Sequence, residues 1–94
     1  MDITKMITIS TAHITNQTIE FLEKEAYRNN ELVVYPKAEY GWFIYVCEDD
    51  IENADLNIDL RDCLSFAYGN DCQWLVFDRD GVIENNLSIY QEIF

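Results

Sequence analysis

Apolar and polar residues alternate at the start of the chain. Ile3, Ile7 and Ile9 fall on one side of an extended backbone, and Thr4, Met6 and Thr8 on the other. That period of two predicts a half-buried strand over 3–9. The period then changes. Ile19, Leu22 and Ala26 recur at helical spacing among Glu20, Glu23, Lys24 and Glu25, which predicts an amphipathic helix over about 16–29 with Asn29-Asn30 as its stop. Thr15 stands where an N-cap is needed, its hydroxyl placed to accept from the backbone N–H of Gln17 or Thr18. Residues 31–36 (ELVVYP) and 40–47 (YGWFIYVC) read as two more strands. The link between them is short enough for a hairpin, with Pro36 at a strand end. A second helical stripe follows, with Leu60, Cys63, Leu64 and Ala67 at i, i+3, i+4 and i+7. Asn57 or Asp59 is placed to cap its start, and Gly69 to close it in a left-handed conformation. Residues 73–77 are a fourth strand. Asp78-Arg79-Asp80-Gly81 is a turn, and Val82-Ile83 a short further strand.

The order β-α-β-β-α-β is that of an α+β two-layer sandwich of the split-βαβ, ferredoxin-like kind, here with a short C-terminal strand or tail. A single domain over 1–94 is expected, its sheet mainly antiparallel and both helices on one face. The other sheet face would carry aromatics whichever way strand 40–47 turns: Phe43 and Tyr45, or Tyr40 and Trp42, with Trp74 beside them. In a basic protein a bare aromatic sheet suggests RNA. In an acidic one it suggests a dimer or a protein partner. The alternative is that Leu87, Ile89, Tyr90, Ile93 and Phe94 fold back over it.

Charge decides between those settings. The formal net charge is −12, and the imbalance is uneven: residues 39–94 hold thirteen acids against Arg61 and Arg79 alone. Direct binding to nucleic acid or to an anionic membrane is disfavoured, and a basic protein surface is the natural partner. Aromatics at 14 % set the chain apart from disordered acidic tails. Three cysteines without a C-x-x-C pair read as reduced core thiols. With no signal-like opening and no long apolar run, a cytoplasmic location is expected.

The one stretch that looks like chemistry is Leu75-Val76-Phe77-Asp78-Arg79-Asp80-Gly81. It is similar to the first motif of the haloacid-dehalogenase phosphotransferases, in which a strand-end Asp is the nucleophile and the Asp two residues on is the acid/base. That resemblance would give Asp78 and Asp80 those roles. It stays local, because only thirteen residues follow Gly81, and the rest of that family's machinery has no room. The bland reading is an Asp-Gly turn in which Asp78 bonds its own backbone. His13 is the only histidine and the cysteines lack zinc-ligand spacing, while nothing in the sequence supports a Cys-His pair, Cys63 lying on the apolar stripe of its helix. The run Asn53-x-Asp55-x-Asn57 departs from a calcium loop at Ile58 and Leu64. No enzyme, cofactor or metal is expected, and His13 reads as bonded to backbone or to Thr15.

Five blocks, in order, carry a wider likeness: Ile9-Ser10-Thr11-Ala12-His13-Ile14-Thr15, Leu32-Val33-Val34-Tyr35, Glu39 to Val46, Leu60-x-x-Cys63-Leu64-x-Phe66-Ala67, and Cys72-x-Trp74 to Gly81. Together they resemble the bacterial family catalogued as domain of unknown function 5983. The resemblance implies an accessory protein of plasmids, phages and other mobile elements, and implies no activity. With the charge, it leads to an expectation of a small acidic protein-binding module. Such a module would be an anti-restriction or anti-CRISPR inhibitor presenting a DNA-mimic face, built from Glu48, Asp49, Asp50, Glu52, Asp55, Asp59 and Asp62. A second candidate surface is Phe43, Tyr45 and Trp74. The alternative is a homodimeric structural or regulatory protein without catalysis. A phosphotransferase using Asp78 and Asp80 is the remaining class.

Overall fold

The computed structural model describes residues 3–24, 32–38 and 41–91. Strand β1 (Met6–Ser10) runs into one 3-10 turn, Thr11–His13, and then helix α1 (Asn16–Lys24). A hairpin of β2 (Val34–Lys37) and β3 (Gly41–Tyr45) follows, then a short helix α2 (Glu48–Ile51), helix α3 (Ile58–Gly69) and strand β4 (Trp74–Asp78). The fold class is α+β, as the alternation of patterns predicts. Thr15 is the cap of α1: its hydroxyl accepts from Thr18 N–H at 3.3 Å, satisfying a donor that the first helical turn leaves open. The predicted continuation of α1 to residue 29 lies outside the described residues.

The four strands form one sheet in the order β1-β4-β3-β2. β2 and β3 are antiparallel, as are β3 and β4, whereas β1 runs parallel to β4. The sheet is thus mainly antiparallel, but its order corrects the ferredoxin-like expectation, in which β1 would lie between β3 and β4. Composition gives the reason. β4 is apolar on both faces, with Leu75 and Phe77 on one side and Trp74 and Val76 on the other. β1 alternates isoleucine with Thr8 and Ser10. The strand that is apolar on both faces takes a central place, flanked by β1 and β3, and the half-polar strand takes the edge. Pro36 is tolerated inside β2 because that strand is the opposite edge, where its missing N–H breaks no central ladder.

One sheet face carries the core. Ile9, Phe77 and Trp42 stand in register across it, as do Leu75 and Ile44. They form one cluster with Leu22 of α1 and with Leu60, Cys63, Leu64 and Ala67 of α3. Both helices therefore cover the same face.

Local details differ from expectation. The segment after Cys47, in which no hydrophobic period predicts an element, opens with α2. Gly69 is not left-handed. That role falls to Asp71, with φ 59°. Cys72 N–H donates to Ala67 C=O at 3.0 Å and Asp71 N–H to Tyr68 C=O at 3.0 Å, the paired bonds of a Schellman ending. The turn after β4 does not close a hairpin with it. Instead Val82 makes a parallel bridge to Ile9, and Val82 C=O accepts from Ser10 N–H at 2.9 Å.

Candidate functional site

The sheet face opposite the helices presents three cross-strand rows. Met6, Trp74 and Tyr45 are in register, with Val33 beyond Tyr45. Thr8, Val76, Phe43 and Tyr35 make the second row, and Ser10, Asp78, Gly41 and Lys37 the third. Side chains two apart on a strand share a face, so Phe43, Tyr45 and Trp74 do come together as one surface. The Tyr45 and Trp74 rings meet edge to face, 5.3 Å between centroids, and Tyr35 lies 6.1 Å from Trp74. Met6, Tyr35, Phe43 and Trp74 line a shallow apolar hollow. Met6, Val33, Tyr35 and Tyr45 are all more than 40 % exposed.

The described tail does not cover this face. It is held at the β1–α1 junction instead. His13, fully buried, donates or accepts on both ring nitrogens: Nδ1 lies 2.8 Å from Ser88 C=O, and Nε2 lies 2.9 Å from Glu84 N–H. A carbonyl can only accept and an amide can only donate, so the hydrogen bonds assign the donor role to Nδ1 and the acceptor role to Nε2. Tyr90 N–H donates to Ala12 C=O at 2.7 Å, and the Gln91 side chain to Ile14 C=O at 2.8 Å. His13 is thus bonded to backbone, as expected, though its partners lie over seventy positions away. Of the tail residues expected on the sheet, Leu87 packs against the helix-side core. Ile93 and Phe94 lie outside the described residues.

The seven predicted acids divide into two groups. Glu48, Asp49, Glu52, Asp55 and Asp62 are exposed on α2, on the turn after it and on α3. Asp50 and Asp59 are buried, at 5 % and 3 % exposure, so their expected place on a solvated face is corrected. Asp59 is a structural acceptor. It takes Thr15 N–H at 2.7 Å and the Thr18 hydroxyl at 2.7 Å, while Asn57 Nδ2 donates to that hydroxyl at 3.0 Å. Asn57 is the N-cap residue of α3 but makes no capping bond with its side chain. Periodicity ranks Asp59 as a first-turn acid and carries no sign of this inter-helix role. The signal that could have hinted at it is the pair Thr15 and Thr18, two hydroxyls with no apolar reason to sit on one helix face.

Asp78 is held by Lys37, with which it forms an ion pair, and by Asp80 N–H at 2.9 Å. The Lys37 hydrogen bond first, and that of Asp80 second, hold its carboxyl below the usual aspartate range. Gly81 closes the turn by donating to Asp78 C=O at 2.8 Å. A Cβ on Gly81 would fall 2.6 Å from the Ile9 carbonyl carbon and oxygen. The glycine in this motif is therefore explained by close backbone approach, and Asp78 bonds its own turn, as the bland reading has it. The thiols are free. Burial, with Asp59 and Asp62 nearby, pushes the Cys63 thiol up to about 12, so it is not a thiolate near neutral pH. Among the described residues, no group of three or more His, Cys, Asp or Glu side chains could hold a metal ion. No described helix is long and apolar enough to cross a membrane.

Fold and surfaces define a small acidic α+β domain. The family model described as "Family of unknown function (DUF5983) C-terminal domain" matches residues 6–92. The chain belongs to that family, the one its sequence blocks resemble. No curated protein and no solved structure matches it.

Proposed function

We propose that the chain is a non-catalytic protein-binding module whose exposed acids occupy a basic, nucleic-acid-binding channel on another protein. Support comes from the five solvated carboxylates of Glu48, Asp49, Glu52, Asp55 and Asp62. They lie in a stretch whose one base, Arg61, is turned back to donate its Nε–H to Ile51 C=O at 2.8 Å. Duplex DNA presents one charge per roughly 1.7 Å of axis, so a mimic needs several carboxylates on consecutive short elements. α2 and the start of α3 supply them, and Asp50 and Asp59 stay inside as structure. The mobile-element setting implied by the family resemblance fits an inhibitor of restriction or RNA-guided nucleases, acting in the cytoplasm where those enzymes work.

The test is DNA cleavage by a panel of the host's restriction and RNA-guided nucleases, with the wild-type chain and with a variant carrying Glu48→Gln, Asp49→Asn, Glu52→Gln, Asp55→Asn and Asp62→Asn. The wild type should inhibit at least one nuclease, and less so at high salt, because exposed charges are screened over ~8–10 Å. The variant should associate more slowly and inhibit weakly. Inhibition by none of the panel, or equal inhibition by the variant with unchanged salt dependence, rejects the reading.

A further inference from the structure

We propose that the open sheet face is the docking site for a second copy of this chain, packed face to face about a two-fold axis. The proposal is independent of the acidic surface and uses none of its residues.

Charge singles out the occupant. In a two-fold contact the same patch meets itself, so any unbalanced charge would face its own sign. On a chain of net charge −12, most surfaces could not meet their own copy. This one can. Across its three rows the charged residues are Lys37 and Asp78, which pair with each other. The rest are Met6, Thr8, Ser10, Val33, Tyr35, Gly41, Phe43, Tyr45, Trp74 and Val76. The face therefore has no net charge to steer a basic partner, and aromatic area to bury. Sheets pack about 10 Å apart with interdigitating side chains. The hollow between Met6, Tyr35, Phe43 and Trp74 is a receptacle for one such side chain, and exposed Tyr45 stands beside it. The described tail does not compete, because residues 84–91 are bonded to 12–16.

Area sets the strength. Stable interfaces take about 800 Å² from each partner. Four short strands spaced ~4.8 Å apart, three like-facing residues deep, offer less than that, so the association is expected to be a weak one that rises with concentration. Two copies at −12 also repel through the rest of their surfaces. Salt screens that repulsion, so this contact should tighten as salt rises. Association through the acidic residues should do the opposite, and the two readings can therefore fail separately.

Sedimentation equilibrium of the full chain from about 5 to 300 µM, at about 50 and 500 mM NaCl, tests the proposal. A dimer should appear with rising concentration and be at least about threefold tighter at the higher salt. Tyr45→Glu should weaken it tenfold or more, on the order of one buried anchor lost. Met6→Glu is the second probe should Tyr45→Glu fail to fold, as judged by its circular dichroism. Either substitution buries an unpaired carboxylate in the apolar contact and gives the same patch a net negative charge on both copies. A wild-type chain that stays monomeric at the top concentration in both salts overturns the proposal. So does a dimer that a folded Tyr45→Glu or Met6→Glu variant leaves unchanged.

Discussion

The carboxylate of Asp59, at the start of α3, sits 2.7 Å from the backbone N–H of Thr15 and 2.7 Å from the hydroxyl of Thr18, both at the start of α1. In a capping box the residue three positions into a helix accepts from its own N-cap N–H. Here Thr18 occupies that position with a hydroxyl, and the acceptor is lent by another helix. The contact fixes the two helices against each other on the same sheet face.

Replacing Asp59 should therefore cost more than a surface acid would. Asp59→Ala leaves the buried Thr18 hydroxyl and Thr15 N–H short of an acceptor. A loss of about 3 kcal/mol in urea unfolding is expected, since hydrogen bonds to a charged acceptor contribute ~1.5–3 kcal/mol each and stranded donors add to the cost. Asp59→Asn keeps the shape and one acceptor, and should lose about half as much. A change under ~0.5 kcal/mol in Asp59→Ala, the range of ordinary surface substitutions, would show that the network is not structural.

The glycines invite a paired prediction. Gly69 has no positive φ, and a Cβ there would meet nothing within 4 Å. Gly69→Ala should raise stability by about 0.5–1 kcal/mol, because it removes freedom from the unfolded chain. Asp71 holds the left-handed position, and Asp71→Gly should add a similar amount by relieving the Cβ penalty. Gly81→Ala should go the other way by at least ~2 kcal/mol, since its Cβ would strike the backbone of β1. Thermal midpoints of the three variants, compared with wild type, give the signs directly.

The Lys37–Asp78 pair makes a prediction about pH. Its hydrogen bond and that of Asp80 N–H lower the Asp78 value in the folded chain below the usual 3.8. A depressed carboxyl stabilises the fold above the unfolded value and loses that contribution as pH falls through the folded one. Carbon-detected NMR titration of the Asp78 side chain should thus show a midpoint below 3.8, and Lys37→Met should move it upward. A midpoint at or above the usual value, unmoved by Lys37→Met, would mean the pair is not formed in solution.

Much of this molecule is written in local pattern. The alternation of Ile7 and Ile9, the stripe of Leu60, Cys63, Leu64 and Ala67, and the Thr15 cap follow from periods of two and 3.6 and from one hydroxyl's reach. The same period of two pairs Phe43 with Tyr45, and Tyr40 with Trp42, on opposite faces of the strand, but it leaves open which pair faces outward; only the packing of Trp42 into the core decided that. Membership of the family was legible too, in five ordered blocks. Other features depend on contacts between distant residues, and local pattern is silent about those. The place of β1 at the sheet edge, parallel to β4, was settled by pairing between strands more than sixty residues apart. His13 met Glu84 and Ser88 only once β1 and the tail were neighbours. Asp50 and Asp59 went inside, away from the acids beside them in sequence. A carboxylate is buried where enough donors converge on it, and for Asp59 those donors come from a helix more than forty residues earlier.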